Sequence, residues 1–527
     1  MHKQTTKITK NHPSIFNDVI GPVMRGPSSS HTAASWRIAK VCMQILNEPL
    51  KSAIIEFDRN GAWAPNFREQ GTTMGIEGGL LGIEITDDRM KHTQVVAKEK
   101  NISIIYRVNS FPTNHPNTVR LILAGANGNK MEVIAASLGG GSFEIQKINE
   151  FSVNINGGFY ELLIFAKKDQ KLEDIIQSIK AKSWLFYESF HGGEKLFNVK
   201  SSENFSKADL EHIKSSLPVA DPVMIEPVLP VVPGNGTELP FHNVSSLLEF
   251  AEKEKLDLGE LGIQYEKCFS GLSGKELASK MHNIIEIIEK SIERGLEGTE
   301  YRDRILHQQS HLIDEAEKKG KIPGNTLINN IIANVTAIME SKSAMEVIVA
   351  NPTAGSCGTV GGVLLAVSED LNSSKEETIK AFFAAGLAGV FFAQGPGFSA
   401  EEHGCQVECG AAGGMAAAGI AQLFGGSAKQ AIDAASMAVQ NSIGLVCDPV
   451  ADRVEVPCLG KNINAAMNAY SSATMACAGF DAVIAYDEVI QTVSDVGKQM
   501  PSCVKCTGQG GLAITPTSVR LKKDLAK

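Results

Sequence analysis

L-P-V-A-D-P-V-M-I-E-P-V-L-P-V-V-P-G-N-G-T, residues 217–237, divides this chain into two unlike parts. Pro218, Pro222, Pro227, Pro230 and Pro233 recur through it, and Gly234 and Gly236 lie near its end. Proline has no backbone N–H and a fixed φ, so neither helix nor ladder continues through such a stretch and an extended linker is expected. Before it, residues 52–57 (S-A-I-I-E-F), 102–108, 119–124 and 131–136 read as strands, with a glycine turn at 138–141. Residues 32–46 read as a helix after a Ser-rich turn, 158–166 as a strand, and 172–182 and 206–215 as helices. From Asn243 onward the pattern is helical nearly throughout. Residues 247–255 and 274–294 are amphipathic, whereas 384–393 and 411–423 are Ala/Gly-rich, as suits closely packed central helices. The expected fold class is α+β multidomain. An N-terminal α/β domain (12–150) is followed by a small βα segment (151–217), the proline-rich linker (218–240) and an all-α domain (241–527).

Composition excludes several function classes. The 527 residues carry a net charge of −9, with 43% hydrophobic and 21% charged residues, as in an ordinary globular protein. There is no positive field and no basic stripe with interleaved aromatics, so no nucleic-acid partner is expected. No apolar run reaches the roughly 18 residues a membrane helix needs, residues 381–393 being too short. The polar start, residues 1–11, is not followed by the apolar core of a signal peptide. A cytoplasmic location without membrane contact is the expectation.

The ten cysteines are unevenly placed: Cys42 and Cys268 precede residue 300, and the other eight lie between Cys357 and Cys506. A disulfide framework belongs to small secreted chains, so a cluster here points to metal binding or catalysis, or to cysteines packed as small hydrophobes. Cys405 stands in H-G-C-Q-V-E-C-G, Cys447 in G-L-V-C-D-P-V and Cys458 in V-E-V-P-C-L-G. Neighbouring prolines put Cys447 and Cys458 at helix ends or in loops, from which a thiolate can turn toward iron. The spacing is not that of a zinc ribbon, and on the residues alone both readings stay open. Cys409, four residues after Cys405, would share a helix face with it. Cys357, Cys503 and Cys506 sit in glycine- or proline-flanked segments. Any of these four is a candidate fourth ligand. Cys42, Cys268 and Cys477 are expected to be structural.

Two small-residue loops invite a binding role. Ser28, Ser29, Ser30 and Thr32 flank His31 at the start of a predicted helix. Capping explains one of these hydroxyls, while free N–H groups at a helix start also hold carboxylates. Ser28 and Ser29 are therefore candidate substrate contacts, and His31 or Ser30 a candidate for proton transfer. The alternative is a structural histidine. Thr353, Ala354, Gly355 and Ser356 form a second such loop, which either holds a substrate carboxylate or is a capping turn. His115 and Asn117 either make a turn around Pro116 or stand at a domain interface near the site.

The motifs G-C-Q-V-E-C-G, C-D-P and V-P-C, spaced C-x41-C-x10-C, strongly resemble the catalytic domain of the iron–sulfur-dependent L-serine dehydratases. The resemblance extends to N-P-T-A-G-S-C-G-T (351–359), G-M-A-A-A-G (414–419) and T-G-Q-G-G-L-A (507–513). In the first domain it covers G-P-S-S-S-H-T (26–32), G-L-L-G-I-E-I-T-D-D-R (79–89) and H-P-N-T (115–118). It implies a single-chain form with the small beta-type part fused before the catalytic alpha part. It further implies a [4Fe–4S] cluster on Cys405, Cys447 and Cys458, oxygen sensitivity, and a lyase that turns L-serine into pyruvate and ammonia in amino-acid degradation, feeding gluconeogenesis. Three thiolates leave one iron open as a Lewis acid for the β-hydroxyl, and a base takes the α-proton. Segment 151–217 is similar to an ACT-like regulatory module, and a homodimer is expected. The helical part is expected to hold its cluster by itself. The chain departs from the family at R-E-Q-G-T-T (68–73): Gln70 stands where a histidine is usual and Thr73 where an aspartate is usual. Arg25 is a candidate related change. Gln cannot titrate, which leaves open the same chemistry on another β-hydroxy acid such as threonine. A non-catalytic iron–sulfur amino-acid sensor is the remaining alternative.

Overall fold

The computed structural model describes residues 12–167, 184–216, 222–234 and 238–525. Residues 1–11, the helix expected over 172–182 and the ends of the proline-rich stretch (217–221 and 235–237) lie outside the described residues. The protein is mixed α/β, with sheets in the N-terminal part and a mostly helical C-terminal region.

The first part holds a six-stranded sheet in the order β3-β2-β4-β5-β6-β7. Its strands are β2 (Leu50–Asp58), β3 (Ser103–Asn109), β4 (Thr118–Gly125), β5 (Lys130–Gly139), β6 (Ser142–Ile148) and β7 (Phe151–Ile155). Only the β2–β3 pair is parallel. Alternate residues Ala53, Ile55 and Phe57 of β2 and Val119, Leu121 and Leu123 of β4 are buried, the period-2 signature of one covered face. Helix α1 (Ala34–Leu46) covers it with Ile38, Val41, Cys42 and Ile45, flanked by α2 (Thr72–Leu80) and α3 (Thr93–Glu99). Cys42 is a core residue here. Strand β7, which falls after residue 150, pairs with β6 and so completes this sheet.

A second, four-stranded antiparallel sheet runs β11-β8-β10-β9. It is built from β8 (Tyr160–Lys167), β9 (Trp184–His191), β10 (Glu194–Ser201) and β11 (Val223–Ile225), with α4 (Lys207–Ser216) after β10. The proline-rich stretch is therefore more than a spacer, because β11 lies within it and pairs with β8. Pro222 precedes this edge strand and Pro227 follows it, where a missing N–H costs no ladder bond.

The helices that follow are α5 (Val244–Glu254), α6 (Leu258–Ser270), α7 (Gly274–Glu297), α8 (His311–Lys318), α9 (Thr326–Ser343), α10 (Cys357–Asp370), α11 (Lys375–Gln394) and α12 (Ala400–His403). After them come α13 (Cys409–Leu423), α14 (Ala428–Gln440), α15 (Cys458–Cys477), α16 (Tyr486–Gln499) and α17 (Pro516–Leu525). Helix α13 is apolar all round and buried along nearly its whole length. A Cβ at its Gly419 would lie 2.9 Å from Ala381 O of α11, so glycine is what allows this close approach. No helix among the described residues is long and apolar enough to cross a membrane.

The two parts are stitched together at the start of the chain. Ile15, Phe16, Val19 and Ile20 form a wide helical turn and its exit, and they are buried in the core of the helical region. Phe16 meets Phe383 edge to face at 5.9 Å. A Cβ on Gly389 of α11 would fall 2.3 Å from Val19 Cγ1, so α11 carries a slot for this turn. Asn17 exchanges two hydrogen bonds with the Val231 backbone, at 2.7 and 3.0 Å. Strand β1 (Val23–Met24) pairs antiparallel with β12 (Ile348–Val349). Arg25 extends the seam with Nη1 to Met345 O (2.9 Å) and Glu346 (3.2 Å), a structural clamp away from the thiols.

Candidate active site

The serine loop folds as one more wide turn before α1. Ser28 caps it, its Oγ accepting from His31 N at 3.3 Å. Ser28 Oγ and Ser30 Oγ both lie 3.1 Å from His31 Nδ1. His31 Nε2 lies 3.1 Å from Asn66 Oδ1, which can only accept, so the ring proton belongs on Nε2 and the Nδ1 lone pair faces the two hydroxyls. His31 is fully buried beside Trp63, at 5.6 Å between ring centroids. Burial lowers its pKa, against the opposing pull of Glu401 and the Asn66 hydrogen bond. The histidine is therefore held neutral.

This loop reaches the helical region at two points. Ser30 Oγ donates to Glu401 Oε1 at 3.1 Å, and Ala354 N donates to Ser29 Oγ at 3.2 Å. The second contact brings the two small-residue loops together. In the 353–356 loop, Ser356 Oγ donates to Asn351 O (3.0 Å) and also approaches the Thr353 hydroxyl (3.2 Å), so part of this loop is the capping turn at the head of α10. The Gly355 carbonyl accepts from Asn462 Nδ2 at 2.8 Å, and a Cβ at Gly355 would lie 3.2 Å from Glu408 Oε1. His115 and Asn117 stand in the turn around Pro116, and His115 also faces the helical region. Asn117 N donates to His115 Nδ1 within the turn (3.1 Å), while His115 Nε2 faces Glu402 at 3.8 Å. The Asn117 side chain is buried with both polar atoms lacking a partner.

The thiols gather beneath these loops. Cys405 opens a short helical turn after Gly404, whose φ is +75°. Cys409 begins α13, and its thiol and that of Cys405 hydrogen-bond each other. Cys447 lies in the loop before α15 and pairs through its thiol with Cys506. Their backbones are joined too: Cys506 N donates to Cys447 O at 2.9 Å. Cys405, Cys409, Cys447 and Cys506 pack in one buried group. Cys458 is the first residue of α15; the charge of Cys405 acts on it, and it acts in turn on Cys409. The Cys409 thiol holds Cys405 down to about 7, whereas burial pushes Cys458 up to about 12. Asn462 ties the set together, with Nδ2 on Cys458 O (2.8 Å) and on Cys409 Sγ (3.7 Å).

Among the described residues, no group of three His, Cys, Asp or Glu is close enough to hold a single metal ion. A cubane cluster is a different demand, since each thiolate binds a different iron and the donors stand further apart. Converging buried thiols with no carboxylate ligand needed suit such a cluster. The surplus cysteines now separate. Cys357 faces away, against Met339 Sδ at 3.8 Å, and Cys503 is half-buried outside the group. Cys409 and Cys506 lie among the thiols.

Sequence reasoning missed several groups. Glu401 joins the serine loop, and Ser399 Oγ donates to its second oxygen at 3.0 Å. Glu408 stands between Cys405 and Thr353. Burial, then the charges of Cys405 and Glu401, raise its pKa well above the carboxylate range. Asn66 anchors His31 and also reaches Cys506 O at 3.5 Å. The signal for Glu401 and Glu408 was in the string E-E-H-G-C-Q-V-E-C, which carries acids on both sides of Cys405. Of the two departures, Gln70 points its Nε2 at Cys506 Sγ (3.9 Å), with Oε1 buried and unpartnered. Thr73 instead lines a cavity of about 500 Å³ with Arg68, Lys91, Tyr301 and Arg453.

A mixed α/β part delivering a histidine–serine loop onto a buried thiol group of a mostly helical part defines a protein of the serine dehydratase class. The chain belongs to the serine dehydratase alpha chain family, which residues 200–513 match. It is 36% identical over 285 residues to the probable L-serine dehydratase alpha chain of Bacillus subtilis, covering 54% of this chain and 95% of that one. It is 32% identical over 203 residues to the L-serine dehydratase beta chain of Peptoniphilus asaccharolyticus, covering 38% of this chain and 90% of that one. Similarity to L-serine dehydratase 1 of Escherichia coli is 32% over 283 residues, 52% of this chain and 62% of that one. The chain is thus similar to both an alpha and a beta chain within one polypeptide.

Proposed function

We propose that this protein is an L-serine dehydratase, a lyase that removes water from L-serine and releases pyruvate and ammonia. The observation that carries this reading is the convergence of the His31 loop, the Thr353–Ser356 loop and the thiol group. Ser30–Glu401 and Ser29–Ala354 hold them together.

Cys405, Cys447 and Cys458 would hold a [4Fe–4S] cluster, with Cys409 or Cys506 in reserve as a fourth thiolate. When bound, the cluster supplies an open iron as Lewis acid for the β-hydroxyl. The rest of the chemistry falls to side chains. Ser28, Ser29, Thr353, Gly355 and Ser356 bind and orient the amino acid where the loops meet. His31, neutral and with its lone pair at Nδ1, accepts the α-proton, and Ser30 positions it. A protonated Glu408 on the thiol side has a proton to give to the departing hydroxide. His115 and Asn117 line the seam through Glu402. Closure of the first domain over the thiols excludes water until the aminoacrylate leaves as its imine and hydrolyses.

The chain divides into a beta-type domain (12–150), an ACT-like segment (151–217) serving dimerisation or effector response, the linker (218–240) and the catalytic domain (241–527). A cytoplasmic homodimer is the form in which it works. Gln70 and Thr73 replace ionisable residues and so raise threonine as an alternative substrate, but the similarity to L-serine dehydratases does not favour it. Anaerobic purification with iron and sulfide counts, followed by keto-acid assays with serine and threonine, tests the reading. A cluster-loaded protein that makes no pyruvate from serine would refute it.

A further inference from the structure

A cavity of about 260 Å³ lies apart from the thiols, where residues 12–18, the β5–β6 turn, the 156–159 connection and the helical region meet. Asp18, Leu138, Phe159, Leu229, Phe269 and Phe398 lie on its walls. At about 30 Å³ per water in the liquid, it has the room of roughly nine waters, enough for a compact organic molecule. Its lining is mixed: apolar and aromatic side chains make up much of the wall, and His12, Asn17, Ser142 and Asn156 add polar groups around one carboxylate. Asp18 accepts from Ser14 N (2.8 Å) and Ser142 Oγ (3.3 Å), which leaves acceptor capacity on both oxygens.

The charge around the cavity is lopsided. Glu266 lies behind Asp18, bound to Ser14 Oγ (2.5 Å) and Ile15 N (2.9 Å), and the two carboxyls repel. The guanidinium that acts on Asp18, Arg37, gives its Nη1 to Gly141 O at 2.7 Å. Arg37 and Asp18 thus act on each other, and burial raises the pKa of Asp18 and Glu266 alike. One carboxylate among phenylalanine faces is poor for a divalent metal, which needs six or more oxygens. It suits an alkylammonium, whose N–H groups take the carboxylate and whose charge favours aromatic faces.

The cavity also touches the active site through the backbone. Phe398 is followed by Ser399, whose hydroxyl holds Glu401, the partner of Ser30. Gly139, on the same wall, has φ +94°, and a Cβ there would lie 2.8 Å from Ser399 N, so the β5–β6 turn presses directly on that residue. We propose that this cavity is an effector site for a small molecule with a primary ammonium group on a compact apolar body. The ammonium sits on Asp18, and occupancy is read at Glu401 through Phe398 and Ser399. This goes beyond the dehydratase reading.

Two sources share this chemistry: a simple alkylamine and the ammonium end of an amino acid. Propylammonium chloride, L-alanine and potassium chloride, titrated calorimetrically into the anaerobic cluster-loaded protein, separate them. Propylammonium lacks the carboxylate that the Thr353–Ser356 loop would hold, so it reports on this cavity alone. The expected result is one saturable propylammonium site per chain, weakened at least about tenfold in Asp18→Asn. Gly158→Val narrows the same cavity, and a Cβ there meets only Asn156 Oδ1 at 3.4 Å and Leu229 Cδ1 at 3.6 Å, so this variant tests the site without backbone strain. Binding should be lost in it too, while occupancy in the wild type shifts the serine concentration at half-maximal rate by twofold or more. L-Alanine binding that persists in both variants would place it in the active site and leave the amine as the ligand. No saturable propylammonium binding, unchanged binding in both variants, displacement by potassium alone, or occupancy without effect on the serine response would each overturn the proposal.

Discussion

Ser30 Oγ and Glu401 Oε1 are joined by a 3.1 Å hydrogen bond across 371 residues of sequence. The same Ser30 hydroxyl lies 3.1 Å from His31 Nδ1, and Glu401 stands 3.8 Å from that nitrogen. One carboxylate of the helical region thus sets the electrostatics of a histidine in the sheet region, and neither part alone contains the arrangement.

His31→Ala should leave iron and sulfide content intact while lowering turnover about 10²- to 10⁴-fold, the range for loss of a general base. If His31 only positions substrate, KM rises and turnover falls less. Steady-state kinetics beside metal analysis separates these outcomes, and an unchanged rate and KM in both His31→Ala and Ser30→Ala would remove the loop from the chemistry.

The pH profile carries a signed expectation. Burial lowers the His31 pKa and Glu401 raises it. Because the neutral form is the base, kcat/KM should fall on the acid side as His31 takes up a proton. Glu401→Gln removes the raising charge, so the acid limb should move to lower pH. The same lowered pKa makes the unfolded chain bind more protons below about pH 6.5, so this histidine's share of stability is lost as pH falls through that window. An acid limb that moves upward in Glu401→Gln would contradict the coupling.

Cys405→Ser, Cys447→Ser and Cys458→Ser should each abolish iron content, visible absorbance and activity together, whereas Cys42→Ala should retain all three. Cys42 is fully buried against the first sheet, far in role from the thiol group. Full cluster content in Cys447→Ser would refute the ligand assignment.

How much of this was legible follows from what leaves a local mark. Four strands of the six-stranded sheet, β2 to β5, were visible through their β-branched and apolar runs, and α13 because its small residues recur, whereas β6 and β7 were not expected. Cys405 and Cys447 of the buried thiol group were singled out through the motifs around them, whereas the packing of Cys409 and Cys506 beside them follows from tertiary contact. Glu401 and Asn66 were not, because a polar residue's partner is fixed by tertiary contact and not by period. The turn at Ile15–Val19 also escaped. Its apolar residues suit a local core, and nothing in I-F-N-D-V shows that the slot receiving them lies at Gly386 and Gly389, some 370 residues away. Strand β11 was hidden by its flanking prolines.

Cys506 offers a test of the resting state. Its thiol pairs with Cys447 and receives Gln70 Nε2 at 3.9 Å. As a reserve thiolate it would protect the open iron. Cys506→Ser should then keep three ligands and assemble a cluster, but lose iron faster in air and alter its paramagnetic spectrum. Equal lifetimes in air for both proteins would assign the fourth place elsewhere, with Cys409 next to test.

The last expectation concerns modularity. An autonomous helical part would hold its cluster without the first domain, but its core is completed by Ile15, Phe16, Val19 and Ile20. Removing them opens the slot beside α11, unpairs β12 from β1 and strands the Val231 backbone groups held by Asn17. Large-to-small truncation in a packed core costs about 3–5 kcal/mol for a phenylalanine, because the cavity collapses only in part. Phe16→Ala should therefore lower the unfolding free energy of the full chain by about that amount, read from denaturant midpoints followed by circular dichroism. A fragment of residues 241–527 should fail to retain iron, and a longer fragment that restores residues 12–25 through a short linker should recover part of it. Stable iron binding by the 241–527 fragment alone would show that the slot can close without its occupant, and that the first residues serve only to dock the two parts.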